Sequence, residues 1–411
     1  MQYIAHSKAR FDAALAEISR LQKSSFPYDN IGEILNQLAA IFSNQRALLD
    51  KLSDKSTPMV ARNTCSQSLT YLFRYTTHLG LVLRASNVRN AFELYPPLLR
   101  LARKLLGPGT KLLLSSEWHY SPLVYLPTND LPDCVLLGLP AFESSNALIV
   151  PLAGHELGHN VWNQKRLATF FDANVRDEVL AAIRNKYWRE FEALCPQATH
   201  ANLTTNMFVR QAWLPCQSIA TKQLEEVFCD MVGLRLFGES YLHAFCYLLA
   251  PGAPGERSVV YPEMTVRIRF LKEAALRLGL AVPADYADEF QVQLDITNPH
   301  TRLMVAIADT AVAEMANIAF EKACEIIDNS GVPIRSQEHV ASIAADFRMV
   351  MPSEGAQVLS ELVNAGWLLM NDPNLWHDVP HIMAERRTRV LNDLILKSCE
   401  VTEYTERINA A

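Results

Sequence analysis

His155 and His159 stand four residues apart in Leu152-Ala-Gly-His-Glu-Leu-Gly-His-Asn160, with Glu156 directly after the first histidine. If this stretch is helical, one turn sets the two imidazoles on the same face, one above the other. Two neutral ring nitrogens so placed can converge on a single Zn²⁺ at roughly 2.0–2.1 Å each. Glu156 can then reach an attacking water at the metal and take its proton. The ordinary alternative is an amphipathic helix that carries two core histidines.

A second segment argues for the metal. Leu224-Glu-Glu-Val-Phe-Cys-Asp230 lies in a run of helical period whose apolar positions are Leu224, Val227, Phe228, Met231, Val232 and Leu234. Glu226 and Asp230 share a helix face. Gluzincins take a third ligand from a glutamate on a later helix, with an aspartate four residues on. In that pattern Glu226 completes a His₂Glu site for one zinc per chain and leaves a fourth position open for water. Asp230 accepts the other ring N–H of a ligand histidine, expected to be His155, and fixes its tautomer. Glu225 points about 100° away from Glu226 on a helix and is not expected to be the ligand. A solvated acidic face would explain Glu225 and Glu226, but not an aspartate among hydrophobic residues.

These motifs resemble the zinc-dependent CAAX prenyl proteases, the bacterial heat-shock membrane protease and their soluble relatives. That family carries His-Glu-x-x-His, then Glu-x-x-Ala-Asp, then His-Pro-x-x-x-x-Arg-Ile. This chain has HELGH at 155–159 and EVFCD at 226–230, with Cys229 where the family prefers alanine. Its third match, Tyr261-Pro-Glu-Met-Thr-Val-Arg-Ile268, departs at the first position. The resemblance spans about 111–280. It implies that His155, His159 and Glu226 hold the metal, that Glu156 is the catalytic base, and that Arg267 braces the site or binds a substrate carbonyl.

Tyr261 stands where the family's histidine stabilises the tetrahedral oxyanion. A phenol can donate to the same oxygen, so the role is expected to pass to Tyr261. Tyr241 and His243 are rival donors, and each of the three can equally be an aromatic at a helix end.

Elements that could position these residues follow from periodicity. Residues 1–107 read as an N-terminal helical region. One apolar stripe runs Ile4, Phe11, Leu15, Ile18 and Leu21, and another runs from Ile31 to Leu52; a break at Ser24–Pro27 suggests an antiparallel hairpin. Further helical runs cover Thr70–Leu83 and Leu98–Leu106, and Gly107-Pro108-Gly109 marks a turn. Residues 108–280 are expected to form a zincin-like catalytic core. It opens on three short strands, Lys111–Ser115, Leu123–Leu126 and Cys134–Leu139. Cys134–Leu139 is expected to be the edge that pairs with an extended peptide. Pro151 suits the first turn of the metal helix, and about 164–215 read as a helical insertion. The loop Pro251–Gly255 precedes Tyr261 and can act as a cover or as a plain connector. Residues 281–411 form a C-terminal helical region. The fold class is therefore mostly α with a small β-sheet (α+β).

Composition narrows the classes. Of 411 residues 49% are hydrophobic, enough for sizeable cores. A net charge of −6 without a long basic run argues against nucleic acid. The eight cysteines (65, 134, 195, 216, 229, 246, 324, 399) contain no C-x-x-C pair and read as reduced core thiols of a cytoplasmic protein. The first twenty residues lack the apolar stretch of a signal peptide, and no uninterrupted apolar run of about 18 residues suggests a membrane span. His377 and His381 have metal-like spacing, but Pro380 interrupts their helix. His119 is a further residue that could line a cleft.

The expected activity is that of a soluble zinc endopeptidase acting on a protein or peptide. The alternative is a helical interaction protein, with partners on its N-terminal helices and a structural or regulatory zinc. Hydrolysis of a non-peptide amide is a third reading.

Overall fold

Helical periodicity accounts for most of the chain. The computed structural model describes every residue except 1, 27–29, 53–55, 86–91, 118–122, 126–130, 132, 141–142, 144, 251–255, 357, 373, 377–381 and 411. It is mostly α-helical with one small sheet, the fold class the sequence implies. Two compact units form, residues 1–92 with 109–144, and residues 93–108 with 145–411. This partition differs from the division at 107/108 and 280/281. The helix before Gly107-Pro108-Gly109 joins the second unit, and the strands after it join the N-terminal helices. Composition marks a turn but does not say which core each flank enters.

In the first unit, α1 (Gln2–Leu21) and α2 (Asn30–Asp50) run antiparallel. Arg46 reaches Asp12 at 2.7 Å, and Gln22 reaches Asn36 at 2.7 Å. Between them the Phe11 and Phe42 rings meet edge to face at 5.8 Å. Ile31, Ile34, Leu35 and Leu38 are buried, as the apolar stripe of α2 requires. A third helix, α3 (Pro58–Ala85), packs on both.

The sheet of this unit overturns one expectation. Its strands are β1 (Lys111–Glu117), β2 (Leu123–Tyr125) and β3 (Cys134–Pro140), in the order β1-β3-β2. Lys111 lies opposite Cys134 in the parallel β1 pairing, and Tyr125 opposite Leu136 in the antiparallel β2 pairing. Cys134–Leu139 is therefore the central strand, not the edge: β1 pairs along its length, and β2 pairs with Leu136, Leu137 and Gly138. Position in the chain did not reveal lateral order. The unbroken apolar run did carry the information, because it suits a strand covered on both faces.

The second unit holds the motif residues. Its helices are α4 (Tyr95–Leu106), α5 (Ala153–Gln164), α6 (Leu167–Asn185), α7 (Trp188–Leu194), α8 (Met207–Phe237), α9 (Glu239–Leu249) and α10 (Met264–Arg277). Then follow α11 (Pro299–Asn329), α12 (Gln337–Arg348), α13 (Leu359–Met370) and α14 (Ala384–Ala410). The Asn206 side chain caps α8 by accepting from Phe208 N at 2.9 Å and Val209 N at 3.3 Å. Helix α8 thus starts inside the expected insertion and runs unbroken through Glu226 and Asp230.

Helix α11 packs along α8 and α6. By length and mean hydropathy (1.5) it meets the measure of a membrane-crossing helix, and half of its most apolar window is buried inside the protein. Pro151 falls in a tight 3-10 turn, Ala147–Leu152, that leads directly into α5. The missing N–H of proline is tolerated there as it would be in a first α-turn.

Glycines decide how closely α5 and α8 approach. A methyl group on Gly158 would lie 2.8 Å from Cys229 Cα, and one on Gly154 would lie 2.9 Å from Gly233 Cα. Two small-residue pairs, each four apart on its own helix, let the backbones touch. The same proximity presses His155 and His159 against the acidic turn of α8. Only a small side chain such as that of Cys229 fits beside Gly158.

Candidate metal centre

Helices α5 and α8 carry the candidate ligands on facing turns. His155 Nε2 lies 3.3 Å from Glu226 Oε2, and His159 Nε2 lies 3.7 Å from Glu226 Oε1. Ligand atoms at roughly 2.0–2.1 Å from a tetrahedral zinc stand about 3.3–3.4 Å apart, close to these separations. Glu226 Oε2 is buried and makes no hydrogen bond among the described residues. A buried carboxylate oxygen left in this way needs compensation, and a cation between it and the two Nε2 atoms supplies it.

Each imidazole is oriented from behind. His155 Nδ1 lies 2.9 Å from Asp230 Oδ1, and His159 Nδ1 lies 3.0 Å from Glu225 Oε1. With Nδ1–H donating to a carboxylate, the Nε2 lone pair is left for the site. Asp230 is where the sequence placed it. Glu225, set aside as a ligand, proves to be the partner of His159. Its other oxygen takes Lys222 Nζ at 3.0 Å. The paired acids of Glu225-Glu226 were the available signal, since two ligand histidines call for two such partners.

Asp230 gathers the third and fourth elements of the site. Arg267 on α10 donates from Nε to Oδ2 at 2.5 Å and from Nη2 to Oδ1 at 2.7 Å. The Tyr241 hydroxyl on α9 donates to Oδ1 at 2.7 Å. Its ring enters through the gap at Gly233, where a methyl group would lie 2.3 Å from it. Burial alone would push the Asp230 carboxyl up. The Arg267 charge and its hydrogen bonds override this and hold the carboxyl well below its usual range. Burial likewise opposes a charge on His155, yet Asp230 and Glu226 raise its pKa to about 10. Asp230 thus already has its countercharge in Arg267, and Asp230 with Glu226 favours positive charge at His155.

The two alternatives for Arg267 are a brace for the site and a ligand of a substrate carbonyl. Its guanidinium is buried and engaged with Asp230, and Nη2 lies 3.9 Å from Glu226 Oε2. Tyr241 is fully buried on Asp230. His243 faces Asn371 at 3.2 Å and stacks on Trp367 at 5.3 Å.

Tyr261 is 45% exposed and lies with its ring 5.5 Å from the Arg267 guanidinium. The Glu226 charge, and after it burial, pushes its phenol up to about 12, so the hydroxyl keeps its proton at neutral pH. Gln223 Nε2 donates to Val259 O at 3.3 Å and ties this loop to α8.

Glu156 is buried, and its carboxylate makes no hydrogen bond among the described residues. Burial raises its pKa, against the pull of His155 and His159. Pro251–Gly255, His119, His377 and His381 lie outside the described residues.

One further residue enters the site. His155, His159 and Cys229 form a buried group whose ligand atoms all lie within 4.8 Å of one another, and this group could hold a metal ion. The sequence context of Cys229 points only to a core thiol. Burial, reinforced by Glu226, pushes its pKa well above the usual thiol range.

No protein-family model matches this chain, and no curated protein or solved structure matches it.

Proposed function

We propose that this chain is a zinc-dependent endopeptidase built on a zincin-like core, with His155, His159 and Glu226 as ligands. One observation carries the reading. Both Nε2 atoms face a single carboxylate, Glu226, while both Nδ1 atoms are held by carboxylates of their own. The charge and spacing of this donor set suit a small divalent cation.

When bound, zinc would supply Lewis acidity at the open side of this set. Glu156, its pKa raised by burial, is suited to accept a proton from an attacking water. It returns the proton to the leaving amine. The Tyr261 hydroxyl, still protonated, donates to the oxyanion as it develops. Arg267, Asp230 and Tyr241 keep His155 from turning. Eight free cysteines support a reducing compartment such as the cytoplasm. The similarity of the three motifs to the CAAX prenyl protease family agrees with this activity.

Cys229 favours a second reading. A fourth protein ligand would close the site, and a closed site is structural rather than catalytic. The chain would then be a helical interaction protein.

The test is to incubate the zinc-loaded protein with a defined peptide mixture and identify new termini by mass spectrometry. Cleavage that stops on chelation and returns with zinc supports the peptidase. Zinc at one per chain with no new termini favours the closed site.

A further inference from the structure

A cavity of about 170 Å³ lies where the end of α8 meets α4, α13 and α14. Its walls include Leu101, Leu236, Phe237, Val332 and Leu362. Protein interiors are close-packed, and voids well above the size of a water are few. A dry apolar cavity of about 150 Å³ is large enough to take up benzene. The volume here suits an apolar body of about that size.

The rim is polar and unevenly charged. Arg100, Lys104 and Glu406 line it. Arg100 is neutralised, with Glu403 at 2.5 Å and Glu406 at 2.8 Å. Lys104 is exposed, and its ammonium donates to the Gly331 carbonyl at 3.1 Å. Among the described residues no carboxylate pairs with it. An apolar chamber with one uncompensated cation at its mouth is complementary to a small amphiphile with an anionic end.

We propose that this cavity binds a small monocarboxylate whose apolar body is about the size of a benzene ring, with its carboxylate on Lys104. The site is separate from the metal group and does not depend on the peptidase reading. Phe237 links the two regions, because its ring lines the cavity and also packs against Gly154, where a methyl group would lie 3.0 Å away.

Phenylacetate and toluene are suitable probes, titrated against the full chain and followed by saturation-transfer NMR. Phenylacetate is expected to saturate below about 1 mM, well within the per-atom limit for a ligand of this size. Lys104→Gln is expected to weaken phenylacetate by roughly 3- to 10-fold, the worth of one partly exposed charge contact, and to leave toluene unchanged. Val332→Trp should fill the chamber and abolish both. If that variant fails to fold, Leu101→Phe serves the same purpose.

Three results would overturn the proposal. They are no saturation of the wild type by phenylacetate below about 10 mM, equal affinity in Lys104→Gln, and undiminished binding in the filled variant.

Discussion

Glu225 Oε1 lies 3.0 Å from His159 Nδ1, the counterpart on α8 of the contact between Asp230 and His155. Each candidate ligand imidazole thus has its own carboxylate. The two rings stand at 81° to one another with centroids 5.0 Å apart, so their Nδ1 atoms face different sides of the helix pair. That difference gives Glu225 a role although it points about 100° away from Glu226.

Glu225→Gln is expected to weaken zinc affinity by roughly 10–100-fold, the usual cost of losing a partner behind a ligand. The sequence alone suggested no change here. Competition with a chromophoric chelator measures the shift, and an unchanged affinity would remove Glu225 from the site.

Glu226 is the third ligand in either reading, and Cys229 is a fourth only in the closed one. If the site is open, Glu226→Ala should lose zinc and Cys229→Ala should keep one per chain. Helix packing should tolerate the second change, since Cys229 faces Gly158 and alanine is smaller. Metal analysis after dialysis decides. Loss of zinc in Cys229→Ala would favour the closed, structural site.

Much of this site was legible because helix spacing is a local property. Four-residue intervals placed His155 above His159 and Glu226 beside Asp230 before any fold was known. The contacts of Glu225, Tyr241 and Cys229 were not legible. They depend on how α5, α8 and α9 are rotated against one another, and the glycines at 154, 158 and 233 set that rotation. The place of β3 was hidden for a related reason. Strand order is a long-range property, and chain order put Cys134–Leu139 last without telling that it lies in the middle.

Arg267 is expected to act on stability before it acts on catalysis. Arg267→Met leaves the Asp230 carboxylate, 1% exposed, without its countercharge. Breaking a buried pair in this way costs about 3–5 kcal/mol. Adding Asp230→Asn should recover part of the loss, because the stranded charge is gone. Urea unfolding of the single and double variants measures both effects. A single variant as stable as the wild type would contradict the bracing role.

Tyr261 and Tyr241 should separate cleanly. Tyr261→Phe is expected to lower kcat by roughly 10²–10³-fold, the usual cost of one oxyanion donor, with zinc content and KM little changed. Tyr241→Phe removes a hydrogen bond to a buried charge and should cost about 1.5–3 kcal/mol of stability. Steady-state kinetics beside thermal melting distinguishes them. Near-normal turnover in Tyr261→Phe would take the phenol out of the reaction.

The central claim is that Glu156 acts as a base beside a metal it does not hold. Glu156→Gln keeps the shape of the side chain and leaves His155, His159 and Glu226 in place. The most direct measurement pairs zinc stoichiometry with peptide cleavage for this one variant. Zinc at the wild-type level with cleavage abolished is the predicted result. A variant that still cleaves at the wild-type rate would contradict the claim.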